Sequence, residues 1–499
     1  MKAVVTGSEM KTIDTYTIQE IGIPSLVLME RAALSMAEHM KAVIGKEDPV
    51  LCVCGAGNNG GDGVAVARIL FSQGYKTAIY MAGPPEKWTE ETKKQIQIAR
   101  NTGVPEYNEL DLKHIRIVVD GLFGIGLSKN VRPPYDRMID KINVWKKNHE
   151  QRKIWSVDIP SGLSSDTGQV LGCAVKADYT VTFGYMKCGM ILYPGRELAG
   201  TCFVKDIGFS SAALEKNRPE GFLCNLQDLN DLPERRSDSN KGDYGKILVV
   251  AGSKNMSGAA YFSGYAAYAA GAGLVRILTP EANRIILQTQ LPQAMISVWE
   301  EMTDEQLKSI ILWADAVVIG PGIGTAEVTA ERIRKILPLV KCPMVIDADG
   351  LNLLAKHREW YDFLGKDVIV TPHMGEMSRL TGKGIDELKA DRARAAKAYA
   401  KEHGIVCVLK DSSTVVSDGT SVFYNQTGNH GMATGGSGDV LSGIIGAYTG
   451  SGVDSFRSAY MSAFLHGCAG DEAAKGFSAR GMTSVEIIEG LIQVLKKTE

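Results

Sequence analysis

The sequence predicts an α/β fold that occurs twice, each time as a mostly parallel sheet with helices on its faces. Three observations lead there. Short apolar runs of strand length alternate with helical stretches from the start of the chain to about residue 207. Between about 210 and 245 the chain turns polar and loses periodicity, most densely at Glu234-Arg235-Arg236-Ser237-Asp238-Ser239-Asn240. The alternation then restarts and continues toward the C-terminus. We therefore expect two domains, residues 1–211 and 225–499, and because no internal repeat links them, two different folds of one class with a function each.

The first half opens with helices expected at Ser8–Glu20 and Leu26–Val43, followed by a strand at Val50–Cys54 and a helix at Gly63–Gln73. Further strands are expected at Thr77–Met81, Ile115–Asp120, Ile154–Asp158 and Tyr179–Phe183, and the run closes with 202–207. In the second half the strands are Lys246–Ala251, Leu274–Thr279, Ala316–Gly320, Met344–Asp347, Val368–Thr371 and Val406–Lys410. A helix beginning at Val440 follows the glycine-rich segment Gly435-Gly436-Ser437-Gly438-Asp439, with Leu441-Ser442-Gly443 read as further small turns.

The 499 residues suffice for roughly two to four domains, each with its own core. A formal net charge of −2 with interspersed Lys, Arg, Asp and Glu argues against a nucleic-acid footprint and favours small-molecule partners. Cysteine occurs nine times, an odd count, and Cys52 and Cys54 lie within an apolar run, as reduced core thiols do. Polar residues from Ser8 onward interrupt the N-terminus before a signal-peptide core forms, and no apolar run reaches the ~18 residues that span a bilayer. A soluble, cytoplasmic protein with no membrane partner is expected. The apolar helix Leu26–Val43 either packs a core or pairs subunits, and a homo-oligomer is expected.

Strand Val50–Cys54 runs into Gly55-Ala56-Gly57-Asn58-Asn59-Gly60-Gly61-Asp62-Gly63, which formally satisfies G-x-G-x-x-G between a strand and a helix. A dinucleotide fold would place a carboxylate at the end of the next strand, but that strand ends Tyr80-Met81-Ala82-Gly83-Pro84, so an ordinary NAD dehydrogenase is disfavoured. Two later strand ends carry oxygen-rich turns, Asp120 through Gly126 and Asp158-Ile159-Pro160-Ser161. Ligands of open α/β sheets bind at the carboxyl ends of strands, so the three loops meet at one crevice. Asn59, Asp120 and Ser161 offer hard oxygens to a cation, and Asp158 is a candidate general base; alone, Asp120 or Asp158 reads equally well as a turn cap.

On Asn58–Gly63, Asp120–Leu127 and Asp158–Ser161, nearly all of residues 1–210 resembles the YjeF N-terminal family, the NAD(P)HX epimerases, with a Rossmann-like fold. The resemblance implies that Asn58, Asn59, Gly60, Gly61 and Asp62 cradle the nucleotide together with Gly124, Ile125, Gly126, Leu127, Ser128, Lys129 and Asn130. It implies a potassium ion (K⁺) held by Asn59, Asp120 and Ser161, and Asp158 against the hydrated nicotinamide ring. The implied reaction interconverts the R and S forms of hydrated NADH or NADPH at C6.

In the second half, Ala316 through Gly320 opens into Pro321-Gly322-Ile323-Gly324, Asp347 and Asp349 end another strand, and Thr371-Pro372-His373-Met374-Gly375-Glu376 ends a third. His373 and Glu376 read as metal ligands, as a substrate contact or as a helix cap; the flanking Pro372 and Gly375, with no second His motif, disfavour the metal. Lys410 followed by hydroxyls suits phosphates, and equally an exposed hairpin lysine. Consecutive glycines before a helix converge N–H groups on an anion, and Asp439 at their rim stands where a proton must be removed.

Asp347 through Asn352, Thr371 through Glu376 and Gly435–Asp439 together resemble the ribokinase-like superfamily, and within it the ADP/ATP-dependent NAD(P)HX dehydratases, over about 225–499. The resemblance implies contacts of Gly322, His373 and Asp439 with the hydrated nucleotide, and of Lys410, Asp411, Ser412, Ser413, Thr414 and Gly438 with the adenine nucleotide. Asp411 departs from the pattern, which frequently has glycine after the lysine. Asp439 is then the catalytic base of a phosphoryl transfer from ADP or ATP with Mg²⁺, for which Asp347 and Glu376 are candidate indirect ligands. The competing expectations are a small-molecule kinase fused to a nucleotide-binding module, and an N-terminal half that only binds or scaffolds.

Overall fold

A computed structural model describes residues 1–147 and 149–497, and the chain divides into two compact units, Ala3–Gly221 and Phe222–Glu499 with Met1–Lys2. The N-terminal unit is built on seven parallel strands. Their spatial order is Glu106–Tyr107, Thr77–Met81, Val50–Cys54, Ile117–Gly121, Lys153–Val157, Tyr179–Phe183 and Thr201–Lys205. The order reverses beside Val50–Cys54, which pairs with Thr77–Met81 on one side and Ile117–Gly121 on the other. A crevice opens at such a switch point.

Both faces of the sheet's centre are covered, which is why Val50–Cys54 is a continuous apolar run. Val50, Cys52 and Cys54 enter one core with Met36, Met40 and Leu70, while Leu51 and Val53 enter another with Ile139, Ile142 and Ile154. Helix Ser25–Lys41 buries Leu28, Met29, Ala32, Ala33, Met36, Ala37 and Met40 and leaves Leu26, Val27 and Leu34 exposed. The helix expected from Gly63 begins at Asn58, because Gly57 supplies an extended N-cap and Gly60 lets the first turn close against Gly55.

The C-terminal unit carries seven parallel strands, ordered Met295–Val298, Leu274–Thr279, Lys246–Val250, Ala316–Ile319, Met344–Ile346, Val368–Val370 and Val406–Leu409. An antiparallel hairpin, Val415–Ser417 and Val422–Tyr424, extends the last of them. Here the order reverses beside Lys246–Val250. The helix expected from Val440 spans Ser437–Gly450, so Leu441-Ser442-Gly443 is helical rather than a set of turns. Gly436, at φ +89°, is its N-cap and turns the chain sharply into the helix. Among the described residues no helix is long and apolar enough to cross a membrane, and all nine cysteines are free thiols.

Gly320 shows how tightly the second crevice is built. Its φ of +124° is costly for any other residue, and a Cβ there would lie 1.8 Å from the Asp347 carbonyl oxygen. Gly324, at φ +77°, faces open space. Gly320→Ala should therefore destabilise the C-terminal unit by at least about 2 kcal/mol and Gly324→Ala by about 1 kcal/mol. The displacement of that unit's thermal transition by each variant checks the difference.

Candidate active sites

In the N-terminal unit three strand ends deliver the polar groups. Asp120 is fully buried. Its Oδ2 accepts from the Ser156 hydroxyl at 2.9 Å and the Ser161 N–H at 2.8 Å, and its Oδ1 from the Ser161 hydroxyl at 2.5 Å. Burial raises the Asp120 pKa, opposed by these bonds. Asn59 lies in the first helical turn against Gly124, where a Cβ would come within 3.2 Å of its amide, and its Nδ2 is buried with no hydrogen-bond partner. Nδ2 is a donor and cannot ligate a cation, so Asn59 would hold a monovalent ion through its Oδ1, with the Asp120 carboxylate and the Ser161 hydroxyl as the other oxygens. Ile125 and Leu127 are partly buried along the same loop, and Gly126, Ser128, Lys129 and Asn130 are exposed at its rim.

Asp158 sits one residue past strand Lys153–Val157 with a φ of +64°, an uncommon conformation for a residue with a Cβ. Its Oδ1 accepts from the Thr182 hydroxyl and the Phe183 N–H, both at 3.0 Å, and from the ammonium of Lys187. Lys187 is fully buried. Two further carboxylates crowd this pair. Burial pushes Asp62 well above the carboxylate range, with Asp158 and Asp14 adding to the effect; Asp14 is raised by burial and by Asp158.

Sequence reasoning missed Lys187 and Asp14. Asp14 had a signal, lying four residues after Met10 and one after Ile13 on the buried stripe of helix Gly7–Gln19. Lys187 had a weaker one, as a cation within the otherwise uncharged stretch Tyr185–Met190.

In the C-terminal unit Asp347 spends both oxygens within the protein, Oδ1 on the Lys410 ammonium and Oδ2 on the Ser442 hydroxyl, each at 2.6 Å. Burial alone would raise its pKa, but Lys410 and Ser442 outweigh burial and hold it below the usual range. Lys410 is raised in turn, the attraction of Asp347, Glu376 and Asp439 exceeding the cost of burial. Gly438 packs directly on this pair, since a Cβ there would lie 3.2 Å from the Lys410 nitrogen.

Asp439 is in the first turn of helix Ser437–Gly450, and burial together with Asp347 raises its pKa to about 7. Helix Met374–Thr381 is capped by His373, whose Nδ1 accepts the Gly375 N–H at 2.9 Å while Glu376 accepts the His373 N–H at 2.8 Å. Of its three sequence readings, the cap is realised. Burial, Lys410 and Arg379 lower the His373 pKa, so its ring is neutral with the proton on Nε2, a donor toward the crevice or Glu376. Among the described residues no cluster of three or more His, Cys, Asp and Glu is gathered to hold a metal.

Asp411 pairs with buried Arg392 at 2.6 Å, which accounts for an acid where glycine is frequent. Ser412 is exposed, Ser413 buried, and the Thr414 carbonyl accepts the Asn425 N–H at 2.9 Å. Gly322, at φ +62°, packs on Ala259 at the start of helix Ser257–Ala269, the helix whose Ser263 hydroxyl donates to the Asp439 carbonyl at 3.1 Å. His466, also missed, lies 3.3 Å from the Ser437 hydroxyl, and burial with Lys410 lowers its pKa to about 4.

Residues 25–189 match the family described as YjeF-related protein N-terminus, and 247–493 match NAD(P)H-hydrate dehydratase. The bifunctional NAD(P)H-hydrate repair enzyme of Thermofilum pendens is 37% identical over 99% of this chain and 96% of its own length. The chain belongs to the family of bifunctional NAD(P)H-hydrate repair enzymes. The Escherichia coli repair enzyme is 34% identical over 95% of this chain and 90% of its own. A solved ribokinase-like superfamily protein from Enterococcus faecalis, 27% identical, superposes with a TM-score of 0.50 over 56% of this chain and 96% of that one. A repair enzyme of this family has an epimerase and a dehydratase domain, matching the two crevices.

The raised pKa of Asp439 has a stability consequence. Its folded value of about 7 lies above the unfolded value near 4, so the folded protein is progressively penalised as pH rises between the two, and fully penalised above about 7. Asp439→Asn should raise the C-terminal unit's melting temperature by a few degrees at pH 8 and leave it unchanged near pH 4. Calorimetry at both pH values measures it.

Proposed function

We propose that the N-terminal unit epimerises the hydrated forms of NADH and NADPH at C6 and that the C-terminal unit dehydrates the S form at the expense of ADP or ATP. The assignment follows residues 1–211 and 225–499. The observation that carries it is Asp439, half-buried at a glycine-initiated helix start beside Lys410 with a pKa of about 7. A general base works best with a pKa near the operating pH.

In the dehydratase site Asp439 takes the proton of the C6 hydroxyl. That oxygen attacks the terminal phosphorus of ADP, and the bond to AMP breaks with its electron pair leaving on AMP. Phosphate then departs from C6 as the ring nitrogen donates its pair, and loss of a C5 proton restores the dihydronicotinamide. The Gly435–Gly438 amides and Lys410 stabilise the phosphoryl charge, Lys410 through Thr414 with Asp411 and Gly438 holding the adenine nucleotide. His373, neutral and donating from Nε2, orients the hydrated nucleotide with Gly322. Magnesium carried on the phosphates would offset the crowding of Asp347, Asp349, Asp439 and Glu376, the last also raised to about 7 by burial.

In the epimerase site Asp158 exchanges the C6 hydroxyl proton, and Asn58 through Asp62 with Gly124 through Asn130 cradle the nucleotide. Potassium, held by Asn59, Asp120 and Ser161, would supply positive charge near the phosphates. The exposed Leu26, Val27 and Leu34 support pairing of copies into a homo-oligomer, and nine free thiols support a cytoplasmic location.

Asp439→Asn should lower ADP-dependent dehydration at least ~100-fold and leave epimerisation intact; Asp158→Asn should do the converse. Chromatographic assay of both epimers reads both activities, and dehydration surviving in Asp439→Asn would remove that residue from the role of base. Wild-type dehydration should fall about tenfold per pH unit below about 7, because the base must be ionised. A pH profile flat down to 5 would contradict this.

A further inference from the structure

The mechanism above does not use Lys187, yet no other lysine side chain in an ion pair is as deeply buried among the described residues, at 1% exposed. A buried ammonium must have its three N–H groups satisfied, and each has one acceptor: Oδ1 of Asp158, the Thr182 hydroxyl at 2.8 Å and the Phe183 carbonyl at 3.0 Å. With no donor left over, Lys187 has no proton aimed at a ligand. Its action is on Asp158.

That carboxylate is held unsymmetrically. The three hydrogen bonds that reach it from the described residues all fall on Oδ1, while its side chain stays 14% exposed. Its backbone is fixed at φ +64°. Such a conformation persists where the surroundings over-determine it, and here they are Lys187, Thr182 and the Phe183 amide. We propose that Lys187 is a positioning residue of the epimerase site, tying down Oδ1 of Asp158 so that Oδ2 alone receives the proton of the substrate's C6 hydroxyl. The inference rests on the epimerase reading above.

The step balances without a co-reactant. The C6–O–H proton passes to Oδ2, the oxygen pair forms the C6 carbonyl, and the C6–N1 bond breaks with its pair on N1, delocalised toward the ring carboxamide. Rotation about C5–C6 presents the other carbonyl face, N1 attacks it, and Oδ2 returns the proton to oxygen. The charged groups that bear on Asp158 are Lys187, Asp62 of helix Asn58–Ser72 and Asp14 of helix Gly7–Gln19. Lys187 is thus the cation hydrogen-bonded to Asp158, beside two neighbouring acids.

The test compares Lys187→Met and Lys187→Arg in the full chain, following conversion of pure R to S from pH 6 to 9. Lys187→Met should lose at least ~100-fold in kcat at pH 7, with KM changed less than about threefold. Lys187→Arg keeps the charge but not the geometry, and should lose at least ~10-fold in kcat with KM changed little. A Met variant with wild-type kcat, or one whose loss lies in KM with kcat kept, overturns the proposal. Should Lys187→Met fail to fold, Lys187→Arg decides: wild-type kcat overturns positioning, and the stated loss supports it. Absence of epimerisation by the wild-type chain at every pH would instead reject the epimerase reading.

Discussion

Both sites depend on one constraint: the carboxylate one residue past a parallel strand end, Asp158 or Asp347, is held by a lysine. Breaking such a pair by removing one partner typically costs about 3–5 kcal/mol, because the other charge is stranded. Each unit meets the requirement with a single lysine, Lys187 for Asp158 and Lys410 for Asp347. The consequences differ. In the N-terminal unit the clamped acid is itself the proposed base, fixed in place. In the C-terminal unit the clamped acid stands behind the base: Asp347 stays charged, and its field helps lift Asp439 to a pKa of about 7.

Glycine makes this proximity possible. Gly438 has no Cβ to separate the last helix start from Lys410, and Gly320 lets its strand end touch the Asp347 carbonyl. The sites are therefore products of backbone approach as much as of side-chain chemistry. The departure at Asp411 fits the same logic, since buried Arg392 would otherwise lack this carboxylate partner. Here the chain replaces a conformationally free residue after Lys410 with an ion pair that anchors the loop.

Much of this was legible in the sequence, for physical reasons. Buried strands are rich in apolar, β-branched and aromatic residues, so Val50–Cys54, Thr77–Met81, Tyr179–Phe183 and Leu274–Thr279 could be read with their observed bounds. Short edge strands such as Glu106–Tyr107 and Met295–Val298 could not, because an edge strand buries too little to leave an apolar run. The helix starts at Asn58 and Ser437 were read several residues late, since the glycines that mark an anion-binding turn also disguise the first helical turn. Local motifs revealed Asp158 and Asp439. Lys187 and Asp14 beside Asp158, and Ser442 on Asp347, are brought in by topology, so their flanking residues carry at most a weak sign of them.

The central claim is that one chain carries two separable activities on one damaged cofactor. It is tested most directly by supplying pure S and pure R hydrated NADH separately, with ADP and magnesium, and following recovery of NADH absorbance. The account predicts immediate recovery from the S form, recovery from the R form only as fast as epimerisation feeds it, and one AMP and one phosphate per NADH formed. A stable phosphorylated product with no return of NADH absorbance would contradict it and leave a small-molecule kinase in its place.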